Sequence, residues 1–148
     1  MPMSRYSERG VSLIEVLIAV LITATGVLGA AALQLNSVKF NQMANVRSAA
    51  VFLSNDITDR MRANRVLALA GRYDIAIDDE APEGDTIVDI DLQEWLAELA
   101  LRLPAGDGSI SRAANVITVT VQWDEGRLSK SRVAGDGDIQ SFVFVTEF

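Results

Sequence analysis

Apolar residues fall into three regimes along this chain. From Val11 to Leu33 they run almost unbroken, VSLIEVLIAVLITATGVLGAAAL, and Glu15 is the one charge among them. As a helix rising 1.5 Å per residue the run is roughly 34 Å long, enough to cross a hydrocarbon layer of about 30 Å. Residues 34–70 contain no proline and no glycine. There Leu35, Val38, Val46, Ala49, Leu53, Ile57 and Met61 recur at helical spacing, interrupted at Gln42, while Lys39, Asn45, Arg47, Asp56 and Arg60 mark the opposite face. Asp56 and Arg60 stand four apart, the spacing of a favourable helical ion pair. Gly71 is the expected stop, so the spacing predicts one helix of about sixty residues, half lipid-soluble and half amphipathic.

Beyond Gly71 the period changes. The segment 78–85, DDEAPEGD, reads as a loop punctuated by Pro82 and Gly84. Asp91-Leu92-Gln93-Glu94 has the spacing of a capping box, and the helix it opens runs to about Leu103, before Pro104, with Leu92, Trp95, Leu96, Leu99 and Leu103 as its apolar face. Ile117, Val119, Val121 and Trp123 alternate with Thr118, Thr120 and Gln122, the pattern of a strand with one buried face. A weaker strand is expected at Ser109–Arg112 and a closing strand from Ile139 to Phe148, with turns at Asp124–Arg127 and Ala134–Asp138. The fold class is α+β: a long N-terminal helix packed on a small antiparallel sheet. An exposed last strand ending in Phe148 is an edge open to pairing in a filament or a tip complex; the alternative is that the loop regions cover it.

Composition removes most chemistries. The 148 residues include no cysteine and no histidine, so disulfides, thiolate zinc sites and imidazole catalysis are excluded. A formal charge of −7 excludes the basic footprint of a nucleic-acid binder. From Tyr73 to Leu101 there are ten Asp and Glu and no Lys or Arg. Hard oxygen ligands are dense there, but the Asp-x-Asp-x-Asp-Gly spacing of a calcium loop is missing, and no metal or cofactor is expected. Carboxylates alone can hydrolyse glycosides, yet no acidic pair sits on an identifiable apolar cleft, so no enzyme is expected.

The N-terminus carries the sharpest signal. Residues 1–10, MPMSRYSERG, hold Arg5 and Arg9, and the next positive charge is Lys39. That asymmetry puts the N-terminus in the cytoplasm and residues 34–148 outside. A secretory signal cut near Ala30-Ala31-Ala32 would have an unusually long apolar region and an acid inside it. A plain anchor leaves Glu15 without a reason, because an acid within a membrane segment is costly.

Gly10-Val11-Ser12-Leu13-Ile14-Glu15-Val16 resembles the processing site of the type IV prepilin family: a short basic leader, a Gly, and a Glu five residues on. The resemblance implies a leader at 1–10, cut between Gly10 and Val11 by prepilin peptidase, and N-methylation of Val11. It further implies that Glu15 pairs with a neighbouring subunit's amine during assembly. The implied fold is type IV pilin-like: a transmembrane and filament-core helix at 11–33, its amphipathic continuation at 34–70 and a head at 71–148. Gly26-Val27-Leu28-Gly29-Ala30-Ala31-Ala32-Leu33-Gln34 and Asp59-Arg60-Met61-Arg62-Ala63-Asn64-Arg65 are similar to the PilV family of minor pilins, the type IV pilus modification proteins. Val121–Asp124 and Phe142–Val145 extend that likeness sparsely.

The chain departs from the pattern in places. Val11 replaces the usual aromatic first residue, Ala32 stands where many major pilins have proline, and no closing disulfide can form. The last two departures point to a minor pilin. The likeness implies major and minor pilins, the inner-membrane assembly machinery and a tip adhesin as partners, with adhesion and twitching motility as the associated activities. Asp59, Arg60, Arg62 and Arg65 are candidate contacts for another minor pilin, or else a solvated last turn whose cations complement the helix terminus. A type II secretion pseudopilin and a singly anchored periplasmic binding domain are the alternatives.

Overall fold

The computed structural model describes residues 10–126 and 139–148. The expected loop at Ala134–Asp138 and all of the leader but Gly10 lie outside that range. The elements run α1 (Leu13–Ala63), α2 (Arg65–Leu69), α3 (Ile87–Arg102), β1 (Asp107–Ala113), β2 (Val116–Asp124) and β3 (Ile139–Glu147). The chain divides into two units, one up to Phe40 and one from Asn41 to Phe148.

Within the described residues of the first unit, the chain from Leu13 to Phe40 is bare helix. None of residues 10–40 is buried, and its large apolar side chains are all exposed, from Val11 at 69% to Phe40 at 69%. It is long and apolar enough to cross a membrane. Leu35 and Val38 of the expected stripe fall here and are exposed, and the part of the stripe packed on the core runs from Val46.

In the second unit the C-terminal part of α1 and α3 cover one face of a three-stranded antiparallel sheet of order β1-β2-β3. Ala50, Leu53, Ile57 and Met61 of α1 meet Leu92, Trp95 and Leu99 of α3, with Ile110, Ile117, Val119, Val121 and Trp123 of the sheet beneath. The period-two alternation of β2 is fully realised, since every second side chain from Ile117 to Trp123 is buried. The register Val119↔Phe144 and Val121↔Phe142 places the β3 aromatics on the same face. This is the α+β, pilin-like arrangement the sequence predicts.

Two helix boundaries differ from expectation. The long helix stops at Ala63 instead of reaching Ala70, because Asn64 leaves helical geometry (φ −112°, ψ 41°). Its side-chain amide donates to the Arg60 carbonyl and to the Tyr73 hydroxyl, offering the chain bonds that compete with helix continuation. Gly71 still ends the region, at φ +74°, a conformation favouring glycine. The second difference is α3, which begins at Ile87 and not at Asp91. The operative capping box is Thr86 with Asp89: the Asp89 N–H donates to Thr86 Oγ1, and the Thr86 N–H to Asp89 Oδ2.

Close packing of α3 on β1 depends on Gly108. A Cβ there would press into the Trp95 ring and lie 2.8 Å from Leu99 Cδ1. Gly108→Ala is therefore expected to destabilise the head by about 1–3 kcal/mol, read from chemical denaturation.

Candidate functional site

The N-terminal site is built on the start of α1. Gly10, Val11 and Ser12 precede the helix and are exposed. Ser12 caps it: its Oγ accepts from the Glu15 N–H at 3.3 Å, and its carbonyl accepts from Glu15 and Val16. Glu15 thus occupies the first turn, where the helix dipole favours an acid. The cap was present in the sequence as Ser12-x-x-Glu15 and went unread. Nothing lies within 4 Å of a Cβ placed on Gly10. Within the described residues no packing demands glycine there, so a requirement for it comes from whatever reads the segment from outside. Val11, Glu15, Ala19 and Thr23 share one flank of the helix, and the carboxylate stands among apolar neighbours.

The second expected group, Asp59, Arg60, Arg62 and Arg65, divides. Arg60 turns toward the head and bonds three carboxylates: Asp56 (3.1 Å), Asp91 (3.3 Å) and Glu94 (2.6 Å). Its guanidinium pKa is raised, first by the Glu94 hydrogen bond, against the opposing cost of burial. Arg62 pairs with Asp59 at 2.8 Å, donates to Thr146 Oγ1 and lies over the Phe148 ring. Arg65 is exposed on α2. The cluster is therefore more than a solvated last turn, since two of its arginines tie α1 to α3 and β3. Asp59, Arg62 and Arg65 keep exposed surface.

Two buried carboxylates were missed. Asp91, read as a helix cap, accepts from the Tyr73 hydroxyl at 2.6 Å, from Asn64 and from Arg60. Burial, then the bond to Asp91, pushes the Tyr73 phenol up to about 12. Glu125, read as a turn residue, is 3% exposed; it bonds Arg47 at 3.3 Å and accepts from Trp123 Nε1 at 3.0 Å. Both hold α1 to the head. Among the described residues no group of His, Cys, Asp or Glu is arranged to hold a metal ion.

Comparison with known proteins bears on the N-terminal segment. Residues 5–31 match the family described as the prokaryotic N-terminal methylation motif. No curated protein and no solved structure matches the chain. The motif and the uncovered apolar helix that follows fit a membrane-anchored, prepilin-type protein, pilin-like or pseudopilin, processed by prepilin peptidase and assembled with other pilins.

Proposed function

We propose that this chain is a minor pilin of a type IV pilus, of the PilV kind. It is inserted in the inner membrane with its N-terminus in the cytoplasm and its head in the periplasm. Prepilin peptidase cuts between Gly10 and Val11 and methylates Val11. The apolar helix then passes from lipid into the filament core, and Glu15 pairs with a neighbouring subunit's amine. An unpaired carboxylate in that apolar setting is costly, so wrong registers are penalised. The head contacts other minor pilins through Asp59, Arg62 and Arg65, priming assembly or supporting a tip adhesin. The protein itself has no catalytic task.

The observation that carries this reading is the conjunction at the N-terminus. An exposed Gly10-Val11 junction precedes a capped helix with Glu15 in its first turn, and among the described residues up to Phe40 no large apolar side chain is covered. N-terminal mass analysis of the protein from sheared pili tests it. The expected first residue is N-methyl-Val11, and an intact Met1 would instead mean a permanently anchored periplasmic domain. Absence from pili, in cells that secrete through a pseudopilus, would move the protein to that system. Gly10→Leu should leave uncut precursor in the membrane. Glu15→Ala should be cut nearly as before but largely lost from pili; normal incorporation of that variant would refute the pairing role.

A further inference from the structure

We propose that the outer edge of β3 is a pairing site for a second copy of this chain, the two strands meeting antiparallel about a two-fold axis at Val143. The sheet has two edges, and they are treated differently. Along β1, Ile75 exchanges backbone bonds with Ile110 at 2.9 and 3.0 Å, and the Asp78 N–H donates to Asp107 Oδ2 at 2.7 Å. Among the described residues nothing bonds to the outer edge of β3.

The parity of that edge follows from one bond. The Phe148 N–H donates to the Asn115 carbonyl at 2.9 Å, so even-numbered residues of β3 bond toward β2. The N–H and C=O groups of Ile139, Ser141, Val143, Val145 and Glu147 therefore point outward in a row. The usual protections of such a row are absent: β3 has no proline, lysine or arginine, and Glu147 is its one charge. On the core face, Phe142 and Phe144 are only partly buried, whereas their partners Val121 and Val119 are 0% exposed. The core is incomplete along this rim, where an added strand would cover it.

The strand is its own complement. Centred on Val143, an antiparallel register sets Val143 against Val143, Ser141 against Val145 and Ile139 against Glu147. Every facing pair then consists of residues whose backbone groups point outward, as a hydrogen-bonded ladder requires. Phe142 meets Phe144 on the core face, and the two Glu147 carboxylates sit at opposite ends, roughly 27 Å apart at ~3.4 Å per residue. The register contains no charge clash.

The two-fold also fixes which copies meet. Arg47 of α1 binds Glu125, beside the start of β3, and Arg62 reaches Thr146 near its end, so this part of α1 runs parallel to β3. The paired copies carry antiparallel α1 segments. The contact thus joins copies whose α1 segments point in opposite directions, not neighbours aligned in one membrane or one filament.

The chain has no cysteine, which makes Val143→Cys a unique thiol. Facing residues of a hydrogen-bonded pair lie about 5.5 Å apart, wide at Cβ for a direct disulfide but well within the span of a short bis-thiol-reactive cross-linker. With a short bis-methanethiosulfonate cross-linker, the full-length detergent-solubilised V143C chain should form a covalent dimer. T120C, on the same sheet face but on the central strand, should stay monomeric. V143P, which removes only an outward N–H and leaves the β2 ladder intact, should abolish dimer formation through S141C mixed with V145C. Three results would overturn the proposal: monomeric V143C, equal cross-linking of T120C, or a Val143 thiol shielded in a monomer because other residues of the same chain cover the edge.

Discussion

Trp95→Ala is expected to cost the head about 3–5 kcal/mol, the largest effect of any single core truncation in this protein. Trp95 is wholly buried, and its indole N–H donates to the Leu53 carbonyl of α1 at 3.1 Å. Its ring lies against Gly108 of β1, so one side chain joins both helices to the sheet. Alanine would leave a cavity at that junction, and the neighbours cannot collapse into it without breaking the α1–α3 and α3–β1 contacts together. Domains of this size are stable by roughly 5–15 kcal/mol, so much of the margin would go. The melting temperature should fall by more than about 12 °C. Trp123 remains as the fluorescent reporter, being the other of the two tryptophans. A loss under about 1 kcal/mol would show that the packing around Trp95 is not what holds the head together.

Local order in the chain made part of this architecture readable. The strand through Ile117–Trp123, the stop at Gly71 and the apolar face Leu92–Leu103 were each written within a few residues, by period or punctuation. The Gly10–Glu15 site was legible for the same reason, since its parts lie six positions apart or less. What escaped was decided across long separations. Asp91-x-x-Glu94 and Thr86-x-x-Asp89 both have the spacing of a helix start, and sequence offers no local ground for choosing. Tertiary structure chooses, because Asp91 is required by Tyr73, Asn64 and Arg60 and so lies inside the helix. Glu125 looked like a turn acid because its partner Arg47 is 78 residues away.

That same Asp91 is the second position where a large effect is expected. Asp91→Ala should destabilise the head by about 3 kcal/mol, chiefly because the buried Tyr73 hydroxyl loses its acceptor. Arg60 keeps Asp56 and Glu94, so the loss stays below that of a fully stranded buried cation. Asp91→Asn preserves an acceptor for the phenol and should cost less. Tyr73→Phe removes the donor and should cost about 1–2 kcal/mol, and the double variant should cost less than the sum of the singles. Alkali gives an independent readout. The Tyr73 phenol ionises near 10 when unfolded and at about 12 when folded. Its contribution is therefore whole below about pH 10 and is lost as pH rises through about 12. Removing the Asp91 carboxylate takes away its hydrogen bond and its negative charge and leaves burial as the cause of the upward shift, so the folded-state ionisation of Tyr73 should move down toward 10. Ultraviolet titration of phenolate in a Tyr6→Phe background, which leaves Tyr73 as the only tyrosine, measures this directly. An unchanged titration in Asp91→Ala would mean that burial alone sets the Tyr73 proton.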